Sequence, residues 1–355
     1  MSPPSGTAHT SSSSTDRPVL LVTLGDPNGI GPEVVAKSVR PFAARCAVIL
    51  IGPPAALRRW RRFLGAPPVP LTAREARTRR GRLHKGLYLI DPGTGIDVRP
   101  GRMTRDAARA AIRSFEIAIE LLKAGPRKFA LVTAPVSKEA CLRAGFPFTG
   151  HTGDLGRAFR QRPLMLLMAG RLRVALVTEH IPLHQVPSSI TAAGVLVCLR
   201  ILAHGLFQMG GVPRPHIAVL GLNPHAGEGG RIGTEDRRIA AAVRAFNRSG
   251  PGRAEGPIPA DAAFAPHPGR GTPDAYLAMY HDQGLIAVKR EGVHRAVNLT
   301  LGLPAVRTSP AHGTAFDIAG KDRADPRSLR LALRWALRLA ERRIHRPSAG
   351  DIMIS

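Results

Sequence analysis

The chain has 355 residues, 44% of them hydrophobic and 5% aromatic, with 37 Gly and 32 Pro. That supports a sizeable core in one large or two ordinary domains and excludes collagen-like, disulfide-scaffold and wholly disordered chains. The formal net charge is +26, but 44 of the 51 basic residues are Arg, a skew that reads as compositional drift at tolerant surface positions more than as a polyanion footprint.

Met1 to about Asp16 is rich in Ser, Thr and Pro and lacks a basic segment followed by an apolar one, so it reads as a disordered tail and not as a secretory signal. Val19 to Asp26 is a short apolar run that ends in Gly-Asp-Pro-Asn-Gly-Ile-Gly-Pro-Glu and passes into EVVAKSVRPFA, which predicts strand, turn and helix. Cys46 to Gly52 predicts a second buried strand, and Asp106 to Gly125 carries apolar residues at helical spacing with a Gly stop. FALVTAPVSKEACLRAG repeats the order strand, loop, helix. Further strands are predicted at LMLLMAG, LRVALVTEH, HIAVLGLNPH and LIAVK, with helices at Ile190 to Gly205, around Asp236 to Asn247, and in the amphipathic segment PRSLRLALRWALRLAERRIHRP. Such alternation predicts α/β architecture built on crossover connections. The domain division expected is a tail at 1–17, a first α/β domain from 18–139 plus 299–347, and a second from 140–298, with the last helix returning to the first domain.

No uninterrupted apolar run reaches about 18 residues, so a membrane-spanning helix is not expected. The three cysteines, Cys46, Cys141 and Cys198, are odd in number and far apart, which argues against a disulfide framework and for the cytosol. A nucleic-acid partner is not expected either. The clusters Arg58-Arg59-Trp60-Arg61-Arg62, Arg74 to Arg82 and Arg323 to Arg346 lack a set of stacking aromatics, with 3 Tyr and 2 Trp in the whole chain.

Gly, His and Asp gather where strands are predicted to end, which is where α/β folds bind ligands. His180, His225 and His281 each border an apolar run, and three neutral imidazoles suit an open catalytic metal site. Their separations carry no local metal signature, and by spacing alone core or surface histidines satisfied by neighbours account for them better. The loop Gly25 to Glu33 is neither a GxGxxG fingerprint nor a P-loop. His312-Gly313-Thr314-Ala315-Phe316-Asp317 reads either as a plain loop or as a ribose contact, in which Asp317 would repel a 2′-phosphate and favour NAD over NADP. Lys289, Arg307 and the pair His151-Thr152 are the candidates for holding an anion, Lys289 because Lys is scarce and closes an apolar run.

Eight ordered blocks between Val19 and Gly320 carry a more specific signal: LGDPNGIGPEV, VTAPVSKEA, GHTGDLG, TEHIPLHQVPSSIT, GLNPHAGEGGRIGTED, PADAAF, YHDQGLIAVK and NLTLGLPAVRTSPAHGTAFDIAG. This series resembles the 4-hydroxythreonine-4-phosphate dehydrogenase family of vitamin B6 biosynthesis, with a more distant likeness to isopropylmalate and isocitrate dehydrogenases. The resemblance implies two α/β/α domains with the active site in the cleft between them, and a homodimer whose partner completes that site. It implies a divalent metal (zinc, cobalt, manganese or magnesium) on His180, His225 and His281, the last reaching across the dimer. Substrate-binding positions fall on His151, Thr152, Lys289, Asn298 and Arg307, and the cofactor, NAD with NADP as the alternative, falls near His312, Gly313 and Asp317. The implied reaction oxidises the 3-hydroxyl of a phosphorylated hydroxythreonine and releases CO2, leaving 3-amino-2-oxopropyl phosphate. Lys289, Asp282 and Asp261 are candidates to take the hydroxyl proton, the two Asp residues serving better to orient a ligating imidazole. The chain departs from the family pattern at Gly153 and Asp154, where Glu and a bulky apolar residue usually follow Gly-His-Thr, and at Arg231, where His is common. A phosphorylated threonate or erythronate is therefore the rival substrate.

Overall fold

The computed structural model describes residues 17–79, 82–265 and 271–345, so the expected tail, apart from Arg17, and Arg346 lie outside the described residues. Among the described residues twelve strands form one sheet: β1 (Val19–Thr23), β2 (Ala47–Ile51), β3 (Val69–Pro70), β4 (Gly86–Ile90), β5 (Phe129–Thr133), β6 (Leu164–Ala169), β7 (Leu172–Leu176), β8 (His216–Leu220), β9 (Arg253–Ile258), β10 (Ala275–Ala278), β11 (Ala296–Leu301) and β12 (Val306–Pro310). Their spatial order is β3-β4-β2-β1-β5-β12-β11-β6-β7-β10-β8-β9. The run from β3 to β12 is parallel, β11 is antiparallel to both β12 and β6, and β7-β10-β8-β9 is parallel again. The boundary expected at 298 falls inside β11, which hydrogen-bonds to a strand of each half, so the halves share a continuous sheet. The mixed α/β class read from the alternating pattern is the one observed.

Register at the centre of the sheet positions everything that follows. Side chains alternate faces along a strand, and residues paired across strands share a face. Arg307 pairs with Leu131 on β5 and Thr300 on β11, Asn298 with Ser309, and Met165 with Thr300. Thr133, Met165, Asn298, Thr300, Arg307 and Ser309 therefore stand on one face of four adjacent strands. On the other face Val297, Leu299 and Val306 pack with Leu329, Leu333 and Leu337 of the terminal helix Arg327–His345. Thr308 Oγ1 donates to the Ala332 carbonyl at 2.9 Å and Ser328 Oγ to the Ala296 carbonyl at 2.7 Å, so that helix does return to the central strands.

The other helices expected from periodicity form at Gly31–Ala43, Arg105–Ala124, Ala192–Gly210 and Glu235–Ser249. Thr104 caps the second of these, its hydroxyl accepting from the Ala107 amide at 3.2 Å. Among the described residues Ala192–Gly210 is the one helix long and apolar enough by composition to cross a membrane, and Arg200, His204 and Gln208 interrupt its apolar run. Val195, Leu199, Leu202 and Leu206 make one of its faces a core face. The strand expected at LIAVK is instead the second half of a helix, His281–Arg290. Gly284 and Val288, one turn apart, are its buried residues. A Cβ on Gly284 would stand 2.8 Å from Val174 and 2.9 Å from Leu176, so the missing side chain lets the helix lie flat on the sheet. The opposite side shows Asp282, Ile286 and Lys289 to solvent, at i, i+4 and i+7.

The loop after β1 is wedged against the loop after β5. Gly25 has φ +68°, and a Cβ there would fall 2.3 Å from the Pro135 carbonyl oxygen. This contact buries Asp26, whose Oδ1 accepts from the Asn28 amide at 2.9 Å. Burial outweighs that bond and raises the Asp26 carboxyl from 3.8 to about 6. A raised acid destabilises the fold where it must ionise, fully above the folded value and not at all below the unfolded one. Asp26→Asn, which keeps the acceptor oxygen, should thus stabilise the protein by up to about 3 kcal/mol at pH 8. The gain should shrink through pH 6 and vanish near pH 4; thermal unfolding across that range measures it.

Candidate functional site

A cavity of about 190 Å³ opens on the polar face of the central strands. That is small beside the roughly 300 Å³ and more of pockets for drug-sized ligands, and it suits a compact polar metabolite. It collects His151, Thr152, His180, Asn298, Arg307, His312 and Gly313 of the residues expected from the sequence, and adds Thr133 and Glu179.

Arg307 dominates it. The side chain rises from the middle of β12 with the residue only 4% exposed. Nη1 donates to Thr300 Oγ1 at 3.0 Å and Nη2 to Thr133 Oγ1 at 2.7 Å, while Nε has no partner. No carboxylate forms a salt bridge with it among the described residues. Burial lowers its pKa to about 10, against the opposing pull of Glu179. A buried cation held by two neutral hydroxyls is an open invitation to an anion.

His151 begins the helix His151–Phe159, an element not predicted from the pattern because its Gly-rich start hides the periodicity. Its ring stands edge-on to Phe115 at 4.7 Å and to Phe148 at 5.2 Å. Burial, then the charges of Arg307 and Lys138, hold it well below the usual imidazole range, so it is neutral. Its Nε2 and the Asn298 Oδ1 are buried without partners, polar groups that a ligand would satisfy. Gly150, with no side chain to cap the helix, leaves the first turn open toward the cavity. Gly153 has its reason nearby: a Cβ would sit 2.8 Å from the Thr149 hydroxyl, which hydrogen-bonds both Asp154 and Arg157.

Of the three histidines expected to hold a metal, two come together. The His180 and His281 rings lie 5.2 Å apart, centroid to centroid, in the same chain, so His281 reaches His180 without crossing to a second subunit. Burial, with Lys138 and His281 adding to it, lowers His180 to about 4, a neutral imidazole fit to ligate. His281 Nδ1 is 2.7 Å from Asp282 Oδ1, a contact that fixes the plane of the ring. His225 is exposed on the segment Pro224–Gly230, and among the described residues no three His, Cys, Asp or Glu side chains gather as a metal-holding group. Six consecutive residues, His225 to Gly230, have positive φ, three of them not Gly, a strain that persists only when surroundings impose it. Asp236, 4% exposed, does so: its carboxylate accepts from the Leu222 and Asn223 amides at 2.8 and 3.2 Å and from Asn223 Nδ2 at 2.7 Å.

Lys289, Asp261 and Asp317 are exposed and do not line the cavity, and Arg231 is exposed at the end of the strained segment. His312 Nε2 is buried without a partner at the cavity rim and Gly313 borders open space. Glu179, Lys138, Thr133 and Asp236 were not singled out from the sequence. Glu179 alone had a signal there, as an acidic residue beside His180 at a strand end.

A family model described as pyridoxal phosphate biosynthetic protein PdxA matches residues 44–336. The chain belongs to this family. It is 43% identical over 332 residues to a 4-hydroxythreonine-4-phosphate dehydrogenase of Acidithiobacillus ferrooxidans, covering 92% of this chain and 97% of that protein. The crystal structure of 4-hydroxythreonine-4-phosphate dehydrogenase from Klebsiella pneumoniae superposes with a TM-score of 0.72 at 34% identity, covering 91% of this chain and 99% of that one. A terephthalate 1,2-cis-dihydrodiol dehydrogenase from Burkholderia xenovorans is similar at TM-score 0.61 and 26% identity, over 91% and 98% of the two chains. The family resemblance drawn from the eight blocks is thus met.

The unpaired guanidinium generates a test. Inorganic phosphate should raise the thermal midpoint of the wild type, because a ligand bound only by the folded state stabilises it. Arg307→Met should keep a midpoint near the wild-type value, since replacing a buried charge by an apolar group is often neutral, and should lose the response to phosphate.

Proposed function

We propose that this PdxA-family chain is a metal- and NAD-dependent dehydrogenase of 4-hydroxythreonine-4-phosphate. It oxidises the 3-hydroxyl to a ketone, after which the β-keto acid loses CO2 to give 3-amino-2-oxopropyl phosphate for pyridoxal phosphate synthesis. The observation that carries the reading is the buried, acid-free Arg307 sharing one cavity with the orphaned polar atoms of His151 and Asn298.

In this reading His151, Thr152, Asn298 and Arg307 hold the substrate. His151, neutral and fixed edge-on between two phenyl rings, offers Nε2 without electrostatic cost, and Arg307 supplies the charge that anionic oxygens need. His180, His225 and His281 would hold one divalent cation, and His312, Gly313 and Asp317 would meet the dinucleotide; the neutral imidazole of His180 beside the His281 ring suits the first, and the orphaned His312 nitrogen suits the second. Bound there, the cation supplies Lewis acidity toward the substrate oxygens and the dinucleotide accepts the electrons. The metal's identity and the choice of NAD over NADP belong to the same proposal, as does a cytoplasmic location. Lys289, Asp282 and Asp261 remain the candidates for taking the hydroxyl proton.

A homodimer is part of the proposal. Lys289 shares the exposed side of its helix with Ile286, which is 72% exposed, and Leu183, near His180, is 68% exposed. Apolar side chains so open, on the segments that carry the histidines, suit a face covered by a second copy, through which Lys289 would enter the partner's cavity. A second reading is favoured by Gly153, which leaves no carboxylate on that part of the wall: a dehydrogenase of a 4-phosphorylated threonate or erythronate.

The deciding assay is NADH formation from 4-hydroxythreonine-4-phosphate with and without a chelator. Activity in the wild type that disappears on chelation and falls at least 100-fold in His225→Ala supports the reading; a wild type silent with metal and NAD supplied overturns the substrate. For the dimer, Ile286→Glu should halve the mass measured by light scattering and reduce kcat/KM, whereas an unchanged mass would remove that face from consideration.

A further inference from the structure

The charges around the cavity form a set of their own. Arg307 is one cation. Lys138 is a second: it opens the helix Lys138–Arg143 and lies along Gly150, where a Cβ would meet its Cε at 2.9 Å and its Nζ at 3.2 Å. Gly150, at φ +116°, is the residue that leaves it room. Its charge acts on His151, Glu179 and His180, three groups on the cavity wall, and no hydrogen bond or salt bridge engages it among the described residues. Glu179 is the one carboxylate among the residues that line the cavity. It accepts no hydrogen bond among the described residues, and the nearest nitrogen in ion-pair range is that of the neutral His180, Nδ1 at 3.9 Å.

We propose that Glu179 is the specificity residue that recognises the substrate's ammonium group, while Arg307 and Lys138 divide its phosphate and carboxylate between them. The inference rests on reading this cavity as the substrate site. Two cations and one anion, none engaged in a close ion pair of its own, match a ligand with two anionic groups and one cationic group. A phosphorylated amino acid has that pattern at neutral pH. Its 2-hydroxy counterpart lacks the cation and would leave Glu179 half-buried without a counter-charge, a mismatch that disfavours it.

Calorimetric titration of the metal-loaded protein tests this with 4-hydroxythreonine-4-phosphate and 4-phosphoerythronate as paired probes. The wild type should prefer the amino acid, and the near-isosteric Glu179→Gln should weaken it about tenfold to a hundredfold, the worth of a charge-assisted contact. Affinity for the hydroxy acid should stay the same or rise. Lys138→Met should weaken both probes alike. Equal loss of both in Glu179→Gln, as a carboxylate that merely steadied His180 would produce, overturns the proposal; so do a wild type that binds both equally or neither, and a Lys138→Met protein unchanged toward both. NADH formation in the same samples tests the reading underneath: an amine preference without turnover would sink the dehydrogenase and leave the Glu179 contact standing.

Discussion

A guanidinium with no acid beside it sits at the centre of this molecule. Arg307 is buried in the middle of the sheet, its two terminal nitrogens held by Thr133 of one neighbouring strand and Thr300 of the other. Such a charge is costly unless something anionic arrives, and the surrounding structure keeps the cost without cancelling it. Each hydroxyl partner is neutral, and Glu179, the acid that feels it, stops short of a salt bridge. The fold thus reserves this charge for a ligand.

The sheet makes that reservation possible. A parallel α/β sheet is ordinarily apolar on both faces, and here β11 and β12 are apolar on the face under the terminal helix and polar on the other. Running β11 antiparallel between β12 and β6 pairs Asn298 with Ser309 and Thr300 with Arg307, so that short polar side chains from neighbouring strands meet around one cavity. The two neighbouring histidines come from the far half of the sheet: His180 follows β7, and His281 begins the helix that Gly284 lets lie against β7 and β10.

Much of this could be read in advance, and what could not has physical reasons. Apolar runs such as AVILI and FALVT, and the helical spacing of Arg105–Ala124, announced their elements because burial on both faces or on one stripe leaves an unmistakable pattern. NLTL and VRTSP carried no such pattern, since half their side chains face a polar cavity, and they were recognised as motif blocks and not as strands. LIAVK looked like a strand because its apolar residues are contiguous, and only the packing of Gly284 on β7 and β10 decides for a helix. At the site, His151, Thr152, Asn298 and Arg307 line one cavity, whereas Lys289, grouped with them by the resemblance, stands on an exposed helix face. Lys138 and Glu179 stayed hidden because a single charged residue gains meaning only from what lies across the cavity. Asp236 escaped because its task is to accept backbone amides, which leaves no side-chain signature.

The alternation along β11 and β12 has a consequence for how this chain can change. The same ten or so residues supply a core surface and a binding surface, one on each face. Losing or gaining one residue in the short turn between these strands would rotate every side chain to the other side, putting Arg307 into the hydrocarbon beneath the terminal helix and Val306 into the cavity. Substitutions can tune the site position by position, but length changes cannot, so this turn should keep its residue count over evolution, and new substrate preferences should arise from single exchanges on the wall and not from remodelled loops at the sheet's centre.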